Sequence, residues 1–357
     1  MNSGVTRRDV LCGTAAAAAV PTAAVSATAR WPRVEGAGTP KLCMISSANP
    51  SEKSMRRITQ LGVSHILSGG PRIPWEESEL RAIMERHKAG RLTVSNLMIA
   101  GFPNAIYGRP GRDQDIENVQ KSIRAAGRAG LPVVEYNFYA HRATEGYFDE
   151  PGRAGSSILS FDNDRVKDLP PLPEEGAHSI DEIWSNVTYF LKAVVPVARE
   201  ANVRLALHPN DPPAPISRGS GQIMGSLEGW KRLVDIVPSP YNGITFDCGV
   251  TRELGQDPVE VCRYFGKKDC INHVHFRNVR TKVPREKYTE VFPDEGEVNM
   301  FAVMKELVRQ KYPRLIYPEH PRGLDADRDQ PNSGQYAGWV FNVAYARAML
   351  QAALESV

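Results

Sequence analysis

An eight-stranded α/β barrel is the fold that this 357-residue sequence predicts. Short apolar runs rich in β-branched residues alternate with longer segments of helical periodicity, and this alternation occurs eight times. Strict alternation of this kind predicts parallel strands joined by right-handed helical crossovers. Eight such units close into a (β/α)8 barrel, the TIM barrel.

The predicted elements follow one another in chain order. The predicted strands cover residues 41–47, 65–68, 92–99, 132–139, 204–210, 243–248, 271–279 and 314–320. The predicted helices cover residues 51–61, 77–87, 113–129, 180–201, 226–237, 258–265, 300–309 and 337–354. An open doubly wound sheet is the alternative, but it usually carries a glycine-rich phosphate loop after its first strand. Residues 46–50 contain no glycine.

Composition and charge are those of an ordinary globular protein. Hydrophobic residues make up 41% of the chain, charged residues 24%, and the net charge is +3. A charge this close to neutral gives no reason to expect a nucleic acid or an acidic membrane surface as partner. None of the five cysteines forms a Cys-x-x-Cys pair, so zinc ribbons and thioredoxin-type motifs are excluded, and no disulfide is specified.

Residues 1–29 differ from the rest and predict a secretory signal peptide. Arg7 and Arg8 precede an alanine-rich stretch at residues 15–20, and Ala27-Thr28-Ala29 forms a small-x-small cleavage signal. Paired arginines indicate the Tat export route, with cleavage near Ala29 and a periplasmic or secreted product. The apolar stretch is too short for a membrane span. The alternative is a disordered alanine-rich tail. Residues 30–357 are then one barrel domain.

Two segments between predicted elements are long and rich in Gly, Pro and charge. They cover residues 140–178, after strand four, and residues 280–298, after strand seven. Loops that follow barrel strands lie on the C-terminal face, where active sites of this fold are found. We therefore predict that both segments cover a bound substrate.

Strands five to eight each end in a histidine or a carboxylate, and these four positions predict a metal site. The predicted ligands are His208, Asp247, His275 and Glu319. Two imidazoles and two carboxylates suit manganese, with zinc, iron or cobalt as alternatives. His273 shares a strand face with His275 and is an alternative ligand, although His275 lies nearer the strand's C-terminal end. Taken singly, each residue could instead be a core histidine, a helix cap or an ion-pair partner.

Several motifs resemble the mannonate dehydratase family, a branch of the xylose-isomerase-like TIM barrels. Residues 208–213 resemble that family's His-Pro-Asp-Asp-Pro-Pro, and residues 275–279 its His-Leu-Arg-Asn-Val. Residues 108–113, 127–130 and 136–138 match further family stretches in the same order. The resemblance implies a manganese-dependent hydro-lyase that removes water from D-mannonate, a step of hexuronate breakdown, to give 2-keto-3-deoxygluconate.

The chain departs from the family's pattern at three places. Asp247 stands where the family has a metal-binding cysteine, and Cys248 follows it. Glu319 takes the position of a family aspartate, and Pro293 or Asp294 stands near a family histidine. Loss of a thiolate makes the ligand set harder, which favours Mn²⁺ or Mg²⁺ over zinc, with Fe²⁺ or Co²⁺ as further alternatives.

The remaining polar residues around the predicted site receive roles in a dehydration. A base removes the proton next to the substrate carboxylate, an acid protonates the departing hydroxyl, and the cation stabilises the enediolate charge. The candidates for proton transfer are Asp211, His320 and Tyr136. The candidates for substrate binding are Arg277 and Arg322, which match a carboxylate bidentately, and Asn137, Arg109 and Arg142, which would bind hydroxyls.

Two other functions remain open from the sequence. A metal-dependent sugar isomerase or epimerase would use the same barrel, with Glu135 as a carboxylate base. The strand period places Glu135 opposite Tyr136, and Glu135 is expected to face the helices if Tyr136 faces the site. A periplasmic sugar-acid binding protein without catalysis is the alternative of another class. A homo-oligomer is compatible with the sequence, which fixes no oligomeric state.

Overall fold

The computed structural model describes residues 35–329 and 334–357, so the predicted signal peptide and its cleavage site lie outside the described residues. Eight parallel strands close into a barrel in the order β1-β8-β7-β6-β5-β4-β3-β2, which confirms the predicted fold. These strands are β1 (Lys41–Ile45), β2 (His65–Gly69), β3 (Thr93–Ile99), β4 (Val133–Tyr136), β5 (Arg204–Leu207), β6 (Asn242–Asp247), β7 (Ile271–His275) and β8 (Leu315–Tyr317).

Helices surround the barrel, and several of them begin with a side chain that caps the helix N-terminus. Ser179 and Glu182 form a capping box at the start of α5, and Asp257 caps α8 ahead of Pro258. The described helices are α1 (Glu52–Gln60), α2 (Glu77–Ala89), α3 (Pro103–Tyr107), α4 (Arg112–Ala129), α5 (Ile180–Glu200), α6 (Leu227–Ile236), α7 (Cys248–Glu253), α8 (Pro258–Lys267), α9 (Met300–Arg309), α10 (Asp325–Arg328) and α11 (Tyr336–Ser356).

Four barrel strands are shorter at their C-terminal ends than the sequence predicted. Strands β4, β5, β7 and β8 end three or four residues before the predicted ends at 139, 210, 279 and 320. Pro209 and Pro318 follow two of them, and proline cannot donate a ladder hydrogen bond. The polar residues after these strands are therefore free to turn over the barrel mouth.

Alternation along β4 decides which side chains enter the barrel. Glu135 points inward, where Thr245 of the nearby strand β6 donates a hydrogen bond to it. Tyr136 points outward and packs against Phe190 of α5, with ring centroids 5.8 Å apart. The prediction that Tyr136 transfers a proton is therefore corrected, because its side chain lies in the apolar layer between strands and helices. The expectation that Glu135 faces the helices is corrected in the same way.

The two long segments predicted as loops pair with each other in a four-stranded antiparallel sheet, which we call the loop sheet. Its strands, in spatial order, are Asn278–Val283, Lys287–Val291, Ser157–Asp162 and Tyr147–Pro151. Phe161 and Tyr288 stack within it at a centroid distance of 5.4 Å. The long segments are thus ordered by cross-strand pairing, and they deliver side chains to the barrel mouth from above.

The four cysteines in the described part of the chain are buried and carry free thiols.

Across residues 35–329 and 334–357, no helix combines the length and the apolar character that crossing a bilayer demands.

Candidate metal centre and catalytic cavity

Two imidazoles at the ends of β5 and β7 point at a common position. The Nε2 atom of His208 lies 3.1 Å from Nδ1 of His275. The other ring nitrogen of His208, Nδ1, lies 2.7 Å from the carbonyl oxygen of Pro209. Because a carbonyl only accepts, the His208 proton belongs on Nδ1, and the Nε2 lone pair faces His275.

Two carboxylates approach the same position. One oxygen of Asp247, Oδ2, lies 3.7 Å from Nδ1 of His275, while the other accepts the backbone N–H of Val250 and caps α7. Ligand atoms of His208, Asp247 and His275 all lie within 4.8 Å of one another. Glu319 is outside this mutual group but lies 3.0 Å from the His275 Nδ1 atom. The structure therefore brings together all four predicted ligands.

The electrostatics of this cluster favour a bound cation. Burial lowers the pKa of His208, so its ring is neutral, which is the form that binds metals. Burial also acts to lower the pKa of His275, but the charges of Glu319 and Asp247 outweigh it and raise that pKa well above its usual value. The position between these groups thus attracts positive charge, and two imidazoles with two carboxylates form a donor set that fits a divalent transition metal.

Glu135 lies beneath the cluster, inside the barrel. One of its oxygens is 3.5 Å from Nε2 of His275, on the side of the ring away from His208. Thr245 and Asn96 donate hydrogen bonds to the two carboxylate oxygens, at 2.7 and 2.9 Å. A carboxylate behind a ligating histidine fixes the ring and its tautomer. His273 lies 4.0 Å from Glu135 and forms a group with Glu135 and His275, but it is not in the group that His208, Asp247 and His275 form. Geometry therefore favours His275 over His273 as the partner of His208 and Asp247 in a metal site.

Replacing Glu135 with glutamine is expected to weaken metal binding about 10- to 100-fold, because the anionic partner of His275 is lost while the side-chain volume is kept. The measurement is the dissociation constant for Mn²⁺, by calorimetry or by the EPR signal of free Mn²⁺. Glu306→Gln is the matched control, since Glu306 is a buried glutamate that pairs with Arg263 at 3.1 Å in the helical layer. Equal affinities of the two variants would remove Glu135 from this role.

Arg277 is enclosed by carboxylates and does not face the cavity. Its guanidinium lies within 4.0 Å of five of them, and the closest, Glu253, is at 2.7 Å. The others are Asp247 at 3.1 Å, Glu319 at 3.2 Å, Asp211 at 3.3 Å and Glu290 at 3.8 Å. The prediction that Arg277 clamps a substrate carboxylate is therefore corrected: its donors are directed at the protein's own acids. Arg277 holds two predicted metal ligands in place.

A cavity of about 290 Å³ opens above the cluster. Its described lining comprises Ile45, Leu67, Met98, Glu135, Asn137, Tyr139, Arg142, His208, Pro209, Asp211, His275, Tyr317, Glu319 and His320. A larger depression of about 540 Å³ lies elsewhere, beside the N-termini of α5 and α6, and contains none of the candidate ligands. We assign the chemistry to the smaller cavity because the convergent imidazoles and carboxylates face it.

Two predicted substrate-binding arginines do not line this cavity. The two terminal guanidinium nitrogens of Arg109 donate to the backbone carbonyls of Glu174 and Glu175, which anchors the long segment before α5. Arg322 donates to Glu290 at 3.1 Å and to the carbonyl of His320. Both are therefore corrected to supporting roles, whereas Asn137 and Arg142 face the cavity as predicted.

His320 reaches the cavity from an unusual backbone conformation. Its φ of 48° lies in the left-handed region, which residues other than glycine rarely adopt. Its Nδ1 atom lies 2.6 Å from Glu290, and its Nε2 atom lies 3.5 Å from Glu319. Burial acts to lower the His320 pKa, but the charges of Glu290 and Glu319 raise it above its usual value. Glu290 therefore orients the His320 ring at the cavity wall and favours its protonated form.

Asp211 is held at the cavity by the loop sheet. Tyr147 and Tyr288 donate to its Oδ1 atom at 2.7 and 3.2 Å. Arg142 donates to its Oδ2 atom at 3.3 Å. The sequence analysis did not identify these tyrosines or Glu290, and no local motif marks them. The signal for Tyr288 and Glu290 is their period-two spacing on one strand, which becomes informative only once that strand is placed above the site.

The comparisons with known proteins agree with this geometry. The family model described as D-mannonate dehydratase (UxuA) matches residues 47–173 and 175–356. A mannonate dehydratase from Thermotoga maritima is 33% identical over 265 aligned positions, and the match covers 64% of this chain and 72% of the relative. The chain belongs to the mannonate dehydratase family. The solved mannonate dehydratase from Streptococcus suis serotype 2 superimposes with a TM-score of 0.80 and 26% identity, over 89% of this chain and 95% of that chain.

A more distant likeness shows the form of the barrel. The xylose isomerase domain protein from Planctomyces limnophilus superimposes with a TM-score of 0.58 at 11% identity, over 89% of this chain and 99% of that chain. An identity this low shows the fold alone. The chain is thus a mannonate dehydratase family member with a xylose-isomerase-like TIM barrel.

The cysteine next to Asp247 does not replace the thiolate expected of a mannonate dehydratase. Cys248 begins α7 and packs in the helical layer with no exposed surface. Burial raises the pKa of its thiol well above the usual value. Among the described residues that converge at the centre, the candidate ligands offer nitrogen and oxygen donors and no thiolate.

Proposed function

We propose that this chain is a metal-dependent hydro-lyase that converts D-mannonate to 2-keto-3-deoxygluconate and water. The observation that carries the proposal is a single cavity whose lining joins three of the four candidate ligands, His208, His275 and Glu319, to the oriented ring of His320. Family membership supplies the reaction class, and the names of the relatives supply the substrate.

His208, Asp247, His275 and Glu319 would hold the cation, and we propose Mn²⁺ because the donors are imidazoles and carboxylates without a thiolate. Bound there, a divalent cation would supply a Lewis acid for the substrate carboxylate and the hydroxyl next to it. Arg277 keeps the Asp247 and Glu319 carboxylates in place through its Nε atom, at 3.1 and 3.2 Å.

The protein's own groups would position the substrate and move a proton. We assign both proton transfers to His320. Its neutral ring would take the proton from the carbon next to the carboxylate, and the resulting imidazolium, which Glu290 orients and stabilises by raising the His320 pKa, would return that proton to the departing hydroxyl as water leaves. Asp211 already accepts from two tyrosines and from Arg142, so we assign it the positioning of Arg142 and not proton transfer. Arg142 and Asn137 would then bind substrate hydroxyls at the cavity wall.

Purified protein loaded with Mn²⁺ is expected to form a 2-keto product from D-mannonate, and chelation is expected to abolish the activity. His320→Asn is expected to lower kcat about 10²- to 10⁴-fold, because the proton donor is lost. His65→Asn is the control, since His65 lies at the start of β2 and contacts Ser95 at 3.0 Å. Interconversion of a free ketose without any product from mannonate would contradict the proposal and favour an epimerase or isomerase.

We also propose that the protein is exported. The support is the order of the twin arginines, the alanine-rich stretch and the cleavage signal in residues 1–29. Sequencing the N-terminus of the protein recovered from cells is expected to place the first residue just after Ala29.

A further inference from the structure

The cavity has two chemically different sides, and the closed barrel fixes which strands form each. The candidate metal ligands lie at the ends of β5, β6, β7 and β8. Across the barrel mouth from them are the ends of β1, β2 and β3, since the strand order runs around a closed ring. A substrate held at the ligands therefore extends toward the first three strands.

The side formed by β1, β2 and β3 is apolar. Among the described residues, these strands contribute Ile45, Leu67 and Met98 to the lining. Ile45 lines the cavity at the end of β1 and is 49% exposed. The polar lining comes from the opposite half and from the residues that follow β4, such as Asn137 and Arg142.

A hexonate carries a hydroxyl on each carbon from the second to the sixth. With the carboxylate and the neighbouring hydroxyl at the ligands, the second and third carbons would lie near His320, and the terminal carbon would lie nearest the apolar side. A hydroxyl buried against apolar side chains loses its hydrogen bonds to water without gaining a partner, which is unfavourable. A methyl group at the same position gains contact area instead.

We propose that Ile45, Leu67 and Met98 select a sugar acid whose terminal carbon carries no hydroxyl, namely a 6-deoxyhexonate. This inference rests on the proposed function for the position of the carboxylate end. The proposed substrate differs from mannonate only at the terminal carbon, and its reacting carbons are the same.

The test compares D-mannonate with 6-deoxy-D-mannonate, which differ only at the terminal carbon. The Mn²⁺-loaded full chain is expected to favour the deoxy acid by about 10- to 100-fold in kcat/KM, the size of discrimination that an apolar pocket achieves against an added hydroxyl. The dissociation constants of both acids, measured by calorimetry, are expected to differ in the same direction.

Met98→Gln and Leu67→Asn each place an amide on the apolar side and are expected to move the preference back toward mannonate. Met349→Gln, in the helical layer, is the control and is expected to leave the preference unchanged. Equal or tighter binding of mannonate by the unmodified chain overturns the inference. If the deoxy acid binds more tightly but neither acid is dehydrated, the proposed reaction fails while the inference about the terminal carbon stands.

Discussion

Asp247→Asn is expected to remove the bound metal and to lower kcat/KM by at least about 10³-fold, since several kcal/mol of transition-state stabilisation depend on the cation. Asparagine keeps a carbonyl oxygen that can accept the N–H of Val250, so the cap of α7 is preserved. What is lost is the anionic oxygen that faces His275. Metal content by mass spectrometry and steady-state kinetics measure the two effects.

Asp257→Asn is the matched control for this substitution. Asp257 caps α8 in the same way, through the N–H of Val259, and its side chain is exposed away from the cavity. This variant is expected to keep full metal content and activity. If Asp247→Asn also retained its metal, Asp247 would have to be removed from the ligand set, and its role would be limited to capping α7.

Arg277→Met is expected to lower the free energy of unfolding by about 3–5 kcal/mol, the size of effect seen when one partner of a buried ion pair is removed. Arg277 is 3% exposed, and its guanidinium offsets the charges of Asp247, Glu319 and Asp211. Without it, these carboxylates repel one another in a region that water hardly reaches. Urea unfolding, with Tm as a second readout, measures the loss.

Arg280→Met tests whether the loss of stability in Arg277→Met depends on the burial of the arginine. Arg280 lies three residues further along the chain, and its side chain is 54% exposed beside Glu295. Its loss is expected to change stability by less than about 1 kcal/mol. The loss of stability in Arg277→Lys is expected to lie between those of Arg277→Met and Arg280→Met, because the lysine ammonium keeps the charge but lacks the planar guanidinium donors. Equal stability of Arg277→Met and Arg280→Met would contradict the counter-charge role.

The two substitutions report on one physical arrangement. Asp247 stands where the family resemblance places a cysteine, and a carboxylate at this position has two oxygens to satisfy. One oxygen caps α7, and the other lies between His275 and Nε of Arg277. Arg277 in turn reaches Glu290 of the loop sheet. The metal centre is thereby linked to the sheet that covers it.

The barrel and the four candidate ligands could be predicted from the sequence. Alternation of apolar runs and helical periodicity specifies parallel strands, and parallel strands in a closed barrel place all their C-terminal ends at one mouth. His208, Asp247, His275 and Glu319 therefore had to meet once the fold was known. Their convergence follows from position along the chain, without knowledge of any side-chain contact.

Other parts of the site were decided only by the tertiary structure. Whether the Glu135 side chain points into the barrel depends on which face of β4 is turned inward. Strand β4 is short and buried on both faces, so its sequence carries no polarity pattern that reveals the inward face. The loop sheet required strands about 130 residues apart to pair, as Leu159 does with Glu290. Local periodicity contains no information on such partners, because a cross-strand pair is stabilised only after both chains have been brought together.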